Sequence, residues 1–133
     1  MAVKVMVVDD SVMMRMLVME IVSSDPTLEV VGTAENGKDC IEQVRDLKPD
    51  VILLDIEMPV MDGIETLKRL KLVSKAKVII LSSVAQAGSA QAAEARALGA
   101  VDVIAKPSGA VSLDLESKRG HIITAAVKRF AKG

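Results

Sequence analysis

The chain has 133 residues, 50% of them hydrophobic and 26% charged, with 17 Lys and Arg against 18 Asp and Glu; this is the balance of a single globular domain over 1–133, and it excludes a disordered chain. A net charge of -1 gives no electrostatic footprint for nucleic acid or an anionic membrane. No apolar run approaches the roughly 18 residues of a membrane span, and a first strand beginning by Val3 leaves no room for a signal peptide, so the expected location is the cytoplasm.

Val3 to Val8 (VKVMVV) is a short, nearly continuous apolar run, the pattern of a central strand covered on both faces, and it ends in Asp9-Asp10-Ser11. Ser11, or Asp10 before it, caps a helix expected through Asp25 with Met14, Leu17, Val18 and Ile21 as its inward stripe. Met13, Met16 and Met19 lie partly or wholly off that stripe, and core packing and a partner-facing patch both remain open for them. Pro26 stops the helix. Leu28 to Ala34 is a second strand whose Glu29 and Thr33 suit a sheet edge. Asn36-Gly37 is ordinarily a hairpin signal. The helical spacing of Cys40, Ile41, Val44 and Leu47 makes the asparagine a helix cap instead, and makes the lone cysteine a half-buried helix residue rather than a nucleophile.

Val51 to Leu54 is a third strand, and it runs straight into Asp55, followed by Ile56-Glu57-Met58-Pro59 and a Met61-Asp62-Gly63 turn. The next helix carries Ile64, Leu67 and Leu70 inward. Lys77 to Leu81 is the fourth strand and ends in Ser82-Ser83. An alanine-rich helix finishes at Leu98-Gly99, where glycine suits a left-handed position. Val101 to Ala105 is the last strand, with Lys106-Pro107 directly after it, and a final helix runs through Ile122, Ile123, Ala126, Val127 and Phe130. His121 has no second ligand within sequence reach and reads as a partly exposed helix residue.

Five strands alternating with five helices predict an α/β fold, a doubly wound five-stranded parallel sheet in the order 2-1-3-4-5 with helices on both faces. Ligands in such sheets sit beyond the carboxyl ends of the strands, at the switch point between strands one and three. Asp9, Asp10 and Asp55 then crowd into one pocket, with Ser82 and Lys106 on its far side. Three carboxylates so close repel one another unless a proton or a hard divalent cation neutralises them, and oxygen ligands without histidine or thiolate point to Mg²⁺. The chemistry that fits is phosphoryl transfer onto Asp55, already a nucleophile when ionised, with Lys106 and the metal holding charge on the phosphoryl oxygens and Ser82 donating a hydroxyl. An acid at a strand end is often only a helix cap or a surface ion-pair partner. That reading does not account for all five residues standing at carboxyl ends together.

With these residues in view, the whole chain resembles the receiver domain of bacterial response regulators, a flavodoxin-like (CheY-like) fold. The resemblance rests on Asp9-Asp10 before Ser11, Leu54-Asp55-Ile56-Glu57-Met58-Pro59 with Met61-Asp62-Gly63, Ser82-Ser83, and Lys106-Pro107. It implies Asp55 as the phosphoacceptor and a histidine kinase as donor. It further implies Mg²⁺ held by Asp10, Asp55 and the backbone carbonyl of Glu57, with Asp9 acting largely through metal-bound water. Ser82 becomes a switch hydroxyl, Lys106 the ionic partner of the phosphate, and the bond before Pro107 cis.

A narrower resemblance, carried by DSVMMR, SSDPTLEVVGTAENG, LLDIEMPVMDG, IILSS and GAVDVIAKPSGAVSLDL, is to the regulatory half of the chemotaxis protein-glutamate methylesterases, the CheB group. It implies a CheA-like kinase and a methylesterase effector domain as partners, and it marks 108–116 as a linker-like insertion before the last helix. The chain has no serine, histidine and aspartate set for ester hydrolysis, so it is not expected to be an enzyme itself. One departure stands out: Val103 occupies the position where receivers often carry Tyr or Phe, which shifts the expected signal route to the loop around Ser83. The rival readings are a stand-alone phosphate-shuttling receiver, a Mg²⁺-dependent phosphatase lacking the Asp-x-Asp-x-Thr pattern, and a flavin carrier lacking a phosphate-cradling loop after strand one.

Overall fold

The structure, a computed structural model, describes residues 2–56, 61–82, 90–105 and 113–131, of which 113–120 by the backbone alone. Strand and helix alternate throughout: β1 (Val3–Val8), α1 (Val12–Ser23), β2 (Leu28–Ala34), α2 (Gly37–Leu47), β3 (Val51–Asp55), α3 (Gly63–Val73), β4 (Lys77–Ser82), α4 (Ala90–Ala97), β5 (Asp102–Ala105) and α5 (Leu113–Ala131). The strands form one parallel sheet in the order β2-β1-β3-β4-β5, which is the expected doubly wound order. Parallel neighbours need crossovers, and each crossover here is a helix laid on the sheet.

Alternation along the strands divides the interior into two layers. Met6, Val8, Ile52, Leu54, Val78 and Ile80 face α2, α3 and α4 and pack with Cys40, Val44, Leu67, Leu70, Ala92 and Ala95. Val5, Val7, Leu53, Ile79 and Leu81 face the other way, onto Val18 and Val22 of α1 and Ile123 and Val127 of α5. A strand buried on both faces has no place for a polar side chain except at its ends. The polar residues of β1, β3 and β4 therefore gather at the two edges of the sheet, and those at the carboxyl edge form the site.

Helix caps set the element boundaries. Ser11 Oγ accepts from Met14 N at 3.2 Å, and Asn36 Oδ1 accepts from Asp39 N at 2.9 Å, so the asparagine does begin a helix. Asp62 Oδ1 accepts from Glu65 N at 2.9 Å. Gly99 has φ +107, the positive value expected just after α4.

Helix α1 stops at Ser23 rather than Asp25. Asp25 Oδ1 takes bonds from both the amide and the hydroxyl of Thr27, at 2.9 and 2.6 Å, and Pro26 disfavours helical geometry in the residue before it. On α1, Val18 and Val22 are the buried residues, Met19 packs partly against the core, and Met13 and Met16 stand 82% and 62% exposed. Of the two readings left open, Met19 takes core packing, while Met13 and Met16 stand at the surface. β5 begins at Asp102, whose Oδ1 accepts from the amide of Val103 at 2.8 Å. The backbone of α5 is helical from Leu113, inside the 108–116 stretch assigned to an insertion. The residues LDLESKR that open it are mostly adequate helix formers.

Candidate functional site

Asp9, Asp10, Asp55 and Ser82 stand at the carboxyl edge of the sheet. Asp9 directly follows β1, its amide donating to Ala34 O at 3.1 Å, and is 2% exposed. Its Oδ1 accepts from Ser11 N at 2.9 Å, and its backbone carbonyl accepts from Arg15 Nη1 at 2.8 Å. Asp10, next in the chain, is exposed. Asp55 is the last residue of β3, the strand paired with β1, and is 2% exposed. Ser82 ends β4, is fully buried, and pairs in register with Ala105, the residue before Lys106.

One carboxylate oxygen from each of Asp9, Asp10 and Asp55 lies within 4.8 Å of the others. At that outer limit two ionised carboxylates repel by about 1 kcal/mol in water and about 3 kcal/mol at an effective dielectric near 20. Three of them hold together most readily around a shared positive charge. The donor set is all oxygen, which fits a hard cation such as Mg²⁺ better than a thiophilic or imidazole-seeking metal.

The first residue of α3 lies close against the end of β3. Gly63 N donates to Ile56 O at 3.0 Å, and a Cβ on Gly63 would stand 2.6 Å from Ile56 Cα and 2.7 Å from Asp55 O. Only glycine lets α3 start so close to the strand that carries Asp55.

Lys106, Glu57, Ser83 and Pro107 lie outside the described residues, and with them the cis-peptide expectation. Val103 is buried on β5 at 9% exposure, in register with Ile80. His121 is exposed. Burial pushes the Cys40 thiol up to about 12, which removes it as a nucleophile. Arg15 was not anticipated. Its guanidinium reaches back from the first turn of α1 to the peptide joining Asp9 to Asp10, and the only signal in the sequence was a cation one helical turn after the cap.

The response regulator receiver domain family matches residues 5–116. A protein-glutamate methylesterase/protein-glutamine glutaminase of Halalkalibacterium halodurans is 54% identical over 121 residues, 91% of this chain and 35% of that protein. The chain therefore spans about 35% of the length of such curated relatives. Among solved structures, the response regulator domain of Thermotoga maritima CheB is 39% identical, with a TM-score of 0.87 over 100% of this chain and 98% of that one. The complex of the P1 domain of CheA3 with CheY6 from R. sphaeroides gives 43% identity and a TM-score of 0.80 over 98% and 97% of the two chains.

Proposed function

This chain belongs to the response regulator receiver domain family, on the branch shared with the CheB methylesterases, and from that premise we propose that it is a Mg²⁺-dependent phosphoacceptor switch with Asp55 as the acceptor. An oxygen of the Asp55 carboxylate attacks phosphorus in line. The phosphorus–nitrogen bond of a kinase phosphohistidine breaks with its electron pair staying on the imidazole, and an acyl phosphate is left on Asp55. Asp10, Asp55 and the backbone carbonyl of Glu57 would hold the cation, with Asp9 acting largely through its water, and the bound cation would supply positive charge to the phosphoryl oxygens. Ser82 donates its hydroxyl to one of those oxygens, and Lys106 provides a point charge to another.

The observation that carries this reading is the convergence of three carboxylates from adjacent strand ends within 4.8 Å. Val12, Met13 and Met16 are exposed together on the first turns of α1, beside Asp10, and an adaptable apolar patch at the mouth of the pocket suits a CheA-like partner presenting its phosphohistidine there. Phosphorylation takes Asp55 from a charge of about -1 to about -2 and adds acceptor oxygens, and that change biases the surface of α4, β5 and α5 between two states. Where such a chain continues into a methylesterase domain, as the names of the longer relatives suggest, this reading has that surface govern it. Among the described residues no helix is long and apolar enough to cross a membrane, in keeping with work in the cytoplasm beside such a kinase.

The test is incubation with acetyl phosphate and Mg²⁺ followed by mass spectrometry. A base-labile phosphoryl adduct that Asp55→Asn abolishes is expected. Steady turnover of phosphoesters with no adduct at Asp55 replaces the switch with a phosphatase. A stand-alone shuttling receiver is the second reading, supported by the 43% identity to the CheA3 P1–CheY6 structure. Phosphoryl return from Asp55 to a kinase histidine distinguishes it.

A further inference from the structure

At the opposite end of the sheet from the acidic pocket, the amino ends of β3 and β4 border a cleft of about 500 Å³, within the ~300–1,000 Å³ range of ligand sites. Arg45 and Lys48 reach it from the end of α2, and Lys75 and Lys77 from the turn leading into β4. Val44 and Val73 contribute its apolar wall. None of the four cations forms an ion pair among the described residues. The one acid lining the cleft, Asp50, is already engaged, its Oδ2 accepting from the amide of Lys4 at 2.9 Å.

Helix termini explain part of this charge and not the rest. Helices α2, α3 and α5 all end at the cleft, α5 through Ala131, and each carbonyl terminus counts as about half a negative charge, which favours nearby cations. Three such ends together with Asp50 offset about 2.5 of the four positive charges. The cleft keeps a net charge of about +1.5 on a chain whose total is -1, and residues 66–77 add no acid to it. No structural partner accounts for the surplus.

We propose that this cleft binds an acidic peptide segment of a partner protein, its carboxylates paired with Arg45, Lys48, Lys75 and Lys77 and an apolar side chain seated against the partly exposed Val73 and Ala76. A cleft is a poor fit to a flat lipid surface. Among the described residues no aromatic side chain lines it, so a nucleotide base has only the Arg45 guanidinium to stack on. Alternating cations and apolar wall instead match alternating acidic and apolar side chains. Because the site lies at the far end of the strands from Asp55, it remains accessible whether or not the carboxyl-end pocket is occupied.

Backbone amide NMR on the full chain tests this with a short peptide of alternating glutamate and leucine as the probe. Saturable shifts at Lys48, Asp50 and Ser74 to Lys77, with none at Asp9 to Ser11, are expected. Affinity falls several-fold as salt is raised, since the pairs are solvent-exposed. The double variant Lys75→Glu with Lys77→Glu weakens binding at least about tenfold. Arg45→Ala with Lys75→Ala, two exposed truncations, repeats the loss should the charge reversal disturb folding. Equal binding of a glutamate-only peptide and of tripolyphosphate reduces the cleft to a general counterion site and overturns the proposal. So does binding confined to phosphatidylserine vesicles, or the absence of shifts at the cleft.

Discussion

Gly63→Ala sets two effects of opposite sign against each other at the foot of the acidic pocket. Alanine is the better helix former by up to about 1 kcal/mol, and it lowers the entropy of the unfolded chain, so at an open position the substitution stabilises. At Gly63 the added Cβ meets backbone: Ile56 Cα at 2.6 Å, Asp55 O at 2.7 Å and Ile56 O at 2.9 Å. Reaching an ordinary contact of 3.4 Å requires a retreat of about 0.8 Å at the nearest atom. Neither side gives easily, because Asp55 is locked in register with Leu81 and α3 is anchored by the Asp62 cap and by the Gly63 N–H to Ile56 O bond. Overpacking of this kind costs about 1–3 kcal/mol. The net is a loss of about 1–2 kcal/mol, seen in thermal unfolding followed by circular dichroism as a fall of roughly 3–8 °C for a domain of this size. Since the retreat moves the strand end that carries Asp55, Mg²⁺ titration followed by NMR shows weaker binding in the same variant. An unchanged or raised melting temperature refutes the close-approach argument.

Two further substitutions probe contacts that position the helices around the sheet. Arg15→Ala removes a charge-assisted hydrogen bond to the Asp9 carbonyl and is expected to destabilise the fold by about 1.5–3 kcal/mol. It also weakens Mg²⁺ binding, whereas Arg15→Lys, which keeps the charge and one donor, recovers part of the loss; equal Mg²⁺ affinity in wild type and Arg15→Ala refutes the positioning role. The Lys128 ammonium, 2.8 Å from Asp25 Oδ2, together with the bonds from Thr27, holds the Asp25 carboxyl down at about 2, below its ordinary 3.8. A folded-state value below the unfolded one means the contribution to stability is present above about pH 4 and is lost as pH falls from there toward 2. In Lys128→Met, carboxyl carbon NMR should show the Asp25 midpoint moving up toward its ordinary value. An unmoved midpoint rules out the ion pair as the leading cause.

What the sequence disclosed and what it withheld follow from one physical distinction. Val51 to Leu54 is apolar at every position, and so are most residues of β1 and β4, so the first polar residue after each run marks the strand's carboxyl end without reference to any neighbour. Asp9, Asp55 and Ser82 were legible for that reason. The parallel arrangement, inferred from crossover helices, was enough to bring them to one edge. Asn36 was legible as a cap because the residues after it repeat at helical rather than alternating spacing. The contacts that hold these residues in place were not, since each depends on how close two backbones come. Nothing in the order of residues says that the Arg15 guanidinium turns back to the Asp9 carbonyl, or that the pairing of β1 with β2 shifts between Val5 and Met6, where every side chain is apolar and one register reads like the next.

The same distinction explains why a chain with almost no net charge carries two strongly charged ends. Burial on both faces leaves the central strands polar positions only at their termini, and a parallel sheet puts all termini of one kind on the same side. Acids that follow strands therefore accumulate at one edge, and cations that end helices or precede strands accumulate at the other. Arg45 and Lys77 lie far apart along the chain, yet the pairing of β3 with β4 brings both to one cleft. The total of -1 conceals this separation, because a net charge does not say where on the fold the charges lie. Acidic ligands are repelled at the carboxyl end unless a cation is bound there, and attracted at the amino end whether or not one is. The two ends thus select different chemistry, and occupancy of one places no steric demand on the other.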